Sequence, residues 1–179
     1  MPSSLSFYSD IRRLSCEDTL IEWRYCRSEV KIRDQFNYDD WHKIVKDIET
    51  DEDLFRANEK GYIALYVVKR RDQKKPFGFV FILVEDPKKN IVSIHGGGWD
   101  RKYKYLFPNA FLLMNRYLLD SGIKVRTSCL IGNTKAMKFI RACGFKIYRY
   151  DHGKALFYLT HELLKKSAIN IRYVENTFD

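Results

Sequence analysis

Twenty-five residues, 124–148 (KVRTSCLIGNTKAMKFIRACGFKIY), constrain this chain more than any other stretch. Val125 to Leu130 reads as a short buried strand, and Gly132-Asn133 interrupts it. Asn133 is a strong N-cap, because its side-chain oxygen accepts a hydrogen bond from an orphan N–H of the following turn. Ala136, Met137, Phe139, Ile140 and Cys143 then recur at helical intervals and form one apolar stripe. Gly144 suits the left-handed conformation that ends a helix, and Phe145 opens the next strand. A strand, a helix and a strand follow in so little chain that the segment demands a sheet with a helix packed on it.

Upstream, residues 5–14 read as a first strand. Ser15 followed by Asp18 reads as a capping box for a helix through about Arg27. Residues 39–55 place Trp41, Ile44, Val45, Ile48 and Phe55 at helical spacing, which predicts a second amphipathic helix with a break near Asp51. Residues 62–68 and 77–84 are β-branched and aromatic, and the charged turn 69–75 (KRRDQKK) with Pro76 joins them as an antiparallel hairpin. Residues 91–95 make a third strand of that sheet. Beyond Trp99 come a helix over 109–119, a strand over 123–130, a helix over 134–143, and strands over 145–150 and 155–159. Asp151-His152-Gly153 is the turn between the last two. Antiparallel strands first and a helix–strand–helix unit later predict an α+β, mixed-sheet layout. Residues 161–179 read as a tail that either docks on the core or contacts a partner.

At 179 residues and 45% hydrophobic content, the chain suffices for one domain spanning 1–179 with a core at about 5–160. No apolar run reaches the ~18 residues of a membrane span, and MPSSLSFYSD lacks the features of a signal peptide, so the expected location is cytoplasmic. Cys16, Cys26, Cys129 and Cys143 form no CxxC pair and read as free thiols. The four histidines make no ligand cluster with them, so no metal is expected. The net charge of +9 suits an anionic small molecule, an acidic protein or nucleic acid. No aromatic-interleaved recognition motif accompanies that charge, which disfavours nucleic acid.

Asn133, Ala136, Gly144 and Phe145 match the Asn-x-x-Ala…Gly-Phe signature of the GNAT acyltransferase superfamily, and the segment resembles that family. Residues 99–119 (WDRKYKYLFPNAFLLMNRYLL) resemble the family's passage from its fourth strand through a diphosphate loop into its central helix. The elements before residue 90, including a helix carrying Trp23, are similar to the branch that acetylates ribosomal-protein N-termini and small amines. The resemblance implies a GNAT-like mixed, mostly antiparallel sheet of about six to seven strands flanked by about four helices. It implies acetyl-CoA, or another acyl-CoA, as acyl donor and an amine-bearing small molecule or protein as acceptor. The implied activity is N-acyl transfer by direct attack in a ternary complex; the alternative is an inactive GNAT-like scaffold used for binding or assembly. A homodimer is compatible with either.

The same resemblance assigns residues. The family's diphosphate loop reads Gln/Arg-x-x-Gly-x-Gly/Ala, and residues 102–110 (KYKYLFPNA) carry neither glycine. Pro108 removes one N–H donor from the loop, and Leu106 and Phe107 add bulk there. Arg101, Lys102, Lys104 and Asn109 either replace the lost backbone contacts or form an ordinary solvated turn. Asn133 is implied at the pantetheine arm as well as at the cap. Seven residues on, where the family often has a tyrosine to protonate the thiolate, stands Ile140. His95, before Gly96-Gly97-Gly98, is the expected general base or else a hydrogen-bonded strand-end histidine, and Glu85 is the other candidate. The glycine run reads as a bulge beside a ligand or as a loop. Trp99 and Trp23 are the candidate substrate-pocket aromatics, whereas Trp41 belongs to a core stripe.

Overall fold

The structure, a computed structural model, describes residues 20–26, 50–98 and 102–171. Seven strands form one sheet in the order β1-β2-β3-β4-β5-β7-β6. They are β1 (Ile21–Tyr25), β2 (Ile63–Arg70), β3 (Gly78–Asp86), β4 (Ile91–Gly98), β5 (Lys124–Leu130), β6 (Lys146–Asp151) and β7 (Lys154–Leu159). All neighbours are antiparallel except β4 and β5, which run parallel. The described helices are α1 (Asp51–Lys60), α2 (Phe107–Asp120), α3 (Thr134–Ala142) and α4 (His161–Lys165). This is the α+β, mostly antiparallel architecture expected from the sequence.

Strand alternation sorts the core into two layers. Tyr66, Val68, Val80, Ile82, Val92, Ile94, Val125 and Phe157 point to the face covered by α2 and α3 and join the larger cluster. Ile63, Leu65, Val67, Phe79 and Phe81 point the other way, against Leu54 of α1. Thr50 and Asp53 form a capping box that starts α1. From the same helix, the Asn58 side chain donates to the Cys26 carbonyl (2.8 Å) and accepts from Leu65 N–H (3.0 Å), so one buried amide satisfies two strands.

Two expectations need correction. The helix expected through about Arg27 is a strand over its described residues. Ile21 and Trp23 are 1% and 3% exposed while Arg24 faces outward, and a period of two with a partner strand outweighs the cap signal before it. The glycine run after His95 is not a loop. Gly96, Gly97 and Gly98 continue β4, paired with Val80, Phe79 and Gly78. A Cβ on Gly96 would lie 2.3 Å from the Phe79 carbonyl oxygen, so only glycine permits that close pairing. The strand expected over 5–14 and the helical positions before Thr50, Trp41 among them, lie outside the described residues.

Over its described residues, 161–171, the tail docks on the chain's own core. Leu164 and Ile169 are buried, and Arg116 donates to the Asn170 side-chain oxygen at 2.7 Å. Gly144, at φ +96°, sits under α4, where an added Cβ would come within 2.6 Å of the Leu163 carbonyl oxygen. Cys26, Cys129 and Cys143 are free and buried. Among the described residues no helix is long and apolar enough to cross a membrane.

Candidate functional site

The parallel ladder between β4 and β5 is short. It runs through Ile91–Lys124, Val92–Val125 and Ser93–Arg126, and there it stops. At the next step the Thr127 hydroxyl donates to the Ile94 carbonyl at 2.7 Å. Beyond it β4 stays with β3 through Gly98, and β5 stays with β7 through Leu130. Two parallel strands held by opposite neighbours therefore diverge into a wedge. Among the described residues, the β5-facing edge of β4 has no ladder partner past Ser93.

His95 lies in the diverging part of β4, on the face that carries Phe81. Its ring centroid is 5.3 Å from that of Phe81, and its Nε2 is 2.7 Å from Ser93 Oγ. The side chain is 7% exposed. Burial, assisted by the positive charge of Lys154, holds its pKa down to about 3. The imidazole is therefore neutral at physiological pH and a weak proton acceptor, contrary to the expectation of a base poised near working pH.

In chain order a helix follows each of the two diverging strands. Asn133 follows β5 closely and caps α3, accepting from Ala136 N–H at 3.1 Å. The start of α2 is different in character. Its N-cap, Leu106, supplies no side-chain hydrogen bond, and Pro108 stands in the first turn. The Phe107 ring packs against Trp23, Phe111 and Phe139 at centroid distances of 6.5, 5.8 and 5.9 Å. Gly78 makes room for that ring, since a Cβ there would be 2.8 Å from it. A cavity of about 460 Å³ opens beside this helix start, lined by Tyr105, Leu106, Pro108 and Asn109 together with Phe139 and Ala142 of α3.

The remaining candidates scatter. Glu85 is exposed and 3.5 Å from Arg126 Nη1. It lies four residues along β3 from Phe81, the partner of His95, or about 14 Å at ~3.4 Å per residue, away from the wedge opening. The two candidate bases are thus not brought together. Trp23 is a buried residue on β1, and its Nε1 donates to the Ala110 carbonyl at 2.8 Å. Lys102 is exposed, with Nζ 5.1 Å from the centre of the Tyr103 ring. Lys104 begins a 3-10 turn, Lys104–Leu106, before α2. Asn109 is half-buried at the cavity. Trp99 and Arg101 lie outside the described residues. Sequence reasoning passed over Ser93 and Lys154. The alternation in Ile91–His95 was the available signal for Ser93, which shares a strand face with His95.

A seven-stranded sheet splayed between two parallel central strands, with a capped helix following the second, is the GNAT fold. Solved structures share it over most of their length. A nucleotide-linked sugar GNAT aligns with a TM-score of 0.64 at 14% identity, over 90% of this chain and 97% of its own. A GCN5-related N-acetyltransferase from Brucella melitensis gives 0.64 at 14% identity over 91% and 85%. The ribosomal-protein-S5-alanine acetyltransferase from Vibrio fischeri gives 0.56 at 16% identity over 83% and 97%. No family model matches the sequence, and no curated protein matches it significantly.

Proposed function

We propose that this chain is an acyl-CoA-dependent N-acyltransferase that moves an acetyl group to a primary amine. The observation that carries this reading is the wedge: two parallel strands released from each other beyond Ser93–Arg126, with no β5 ladder along β4 from there on among the described residues. Such an edge suits the amide-bearing pantetheine arm, which pairs with backbone as a strand does. Asn133 and the first turn of α3 border the arm, while Lys102 and Asn109 stand at the start of α2, where a helix favours an anion. An acyl-CoA bound there supplies a thioester as acyl donor. With His95 neutral, the chain contributes chiefly by positioning. The imidazole and Ser93 form a fixed polar pair beside the wedge, and the amine's proton passes to water.

One observation favours a second reading, a GNAT-like scaffold without catalysis. The start of α2 presents Pro108 and a stacked Phe107 where backbone donors would hold a diphosphate. Isothermal calorimetry with acetyl-CoA and CoA separates the two. Saturable micromolar binding supports the enzyme, and absence of binding up to millimolar ligand supports the scaffold.

A further inference from the structure

The sheet face that carries His95 continues across β5, β7 and β6 as a basic, aromatic surface. Register places its members, because residues opposite each other share a face. Arg126, Ser128 and Leu130 of β5 oppose Tyr158, Leu156 and Lys154 of β7, and these oppose Lys146, Arg149 and Asp151 of β6. Tyr148, at the irregularity in β6, packs edge-on against Tyr158 with centroids 6.3 Å apart, and the two remain 45% and 37% exposed.

The charges on this face are unequally matched. Arg126 lies over the Tyr148 ring at 5.3 Å and is 3.5 Å from Glu85, and Arg149 is 3.3 Å from Asp151. Lys146 and Lys154 form no ion pair among the described residues. Lys146 is exposed and readily hydrated, whereas Lys154 is half-buried. Lys154 faces Leu130, the last residue of β5, and so stands level with the open end of the wedge, one strand beyond β5. Its charge is felt at His95, inside the wedge. Asp151, opposite Lys154, is engaged by Arg149 instead, and a half-buried ammonium without an ion pair has lost hydration that an anion restores.

We propose that the acceptor amine carries an anionic group, a carboxylate or a phosphate, which Lys154 binds at the wedge mouth. This rests on the acyltransferase reading and adds the acceptor class to it. The amine nitrogen forms a bond to the thioester carbonyl carbon, the C–S bond breaks, and the nitrogen's proton reaches the departing thiolate through water. Lys154 takes no part in that exchange and acts as a specificity residue.

The test uses acetyl-CoA with two matched acceptor pairs, γ-aminobutyrate against n-butylamine and O-phosphoethanolamine against ethanolamine. Wild type, Lys154→Gln and Lys154→Arg are compared in kcat and KM, with calorimetry of acetyl-CoA and a thermal melt for each. The expected result is at least a tenfold higher kcat/KM for the anionic member of a pair. Lys154→Gln should abolish that preference through KM, Lys154→Arg should retain it, and acetyl-CoA affinity should be unchanged throughout. The pair showing the preference identifies carboxylate or phosphate. Acetyl-CoA binding with equal or better use of the neutral amines, a preference unaltered in Lys154→Gln, or no turnover on any of the four would overturn the inference and leave CoA recognition standing. Absence of acetyl-CoA binding would overturn the acyltransferase reading and the inference with it.

Discussion

The Thr127 hydroxyl donates to the Ile94 carbonyl at 2.7 Å at the step where β4 and β5 cease to pair. A side chain thus takes the place of the first missing rung, and it pins the vertex of the wedge. Thr127 is 5% exposed, so Thr127→Val keeps the shape and removes the donor. Leaving a buried carbonyl without that donor should cost about 1–3 kcal/mol in urea unfolding. A change below a few tenths would mean water replaces the hydroxyl.

His95 gives stability a pH dependence of defined sign. Its folded-state pKa is down at about 3, below the ordinary 6.5, so between these values the unfolded chain binds the additional proton. This contribution is complete above about pH 6.5 and is lost as pH falls toward 3, at up to about 1.4 kcal/mol per pH unit. Between pH 7.5 and 5.0 the unfolding midpoint should fall further for wild type than for His95→Gln, because only wild type loses this contribution. Parallel behaviour of the two proteins would show that His95 is not buried neutral.

Gly144 and Gly122 make a matched pair. Both have positive φ, +96° and +76°, but only Gly144 has a neighbour in the way, the Leu163 carbonyl oxygen 2.6 Å from a built Cβ. Gly122→Ala should cost about 1 kcal/mol, the penalty of a left-handed alanine. Gly144→Ala should cost at least about 2 kcal/mol, because α4 must also shift. Chemical denaturation of both variants tests the difference, and equal losses would remove the steric part.

Asn133 separates a cap from a ligand contact. Asn133→Ser retains an acceptor for Ala136 N–H and should change stability by no more than a few tenths of a kcal/mol, whereas Asn133→Ala should cost about 1 kcal/mol. Both should weaken acetyl-CoA binding in calorimetry if the amide also meets the pantetheine arm. Retained affinity in the serine variant would restrict Asn133 to capping.

Trp23→Phe removes the Nε1 donor to Ala110 O and leaves a ring in the same buried space. The expected loss is about 1–3 kcal/mol of stability with kcat/KM for the acceptor unchanged. A selective rise in acceptor KM would restore Trp23 to the substrate pocket.

Local signals carried the reading of residues 124–148 because the strand, cap, helix and glycine exit there interact with near neighbours in sequence. The same holds for the β2–β3 hairpin, whose turn chemistry is self-contained. Trp23 was misplaced since the Ser15–Asp18 pattern was extended as a helix through Arg27, while the alternation of Ile21, Trp23 and Tyr25 acquires meaning only beside β2. The role of Gly96 depends on Phe79, a residue of another strand. Neither the low basicity of His95 nor the setting of Lys154 is written locally. The first follows from burial and the second from the insertion of β7 between β5 and β6.

That insertion also bears on how the chain is made. β6 leaves the ribosome before β7 yet, among the described residues, pairs with β7 alone, so it has no place on the sheet until residue 159 has emerged. Until then the outer edge of β5 is bare, and nascent chains arrested between 130 and 159 present an open template to one another. The β6–β7 hairpin must therefore add as a unit, late in synthesis, and closing that edge is the step at which a chaperone holding the nascent chain has most to protect.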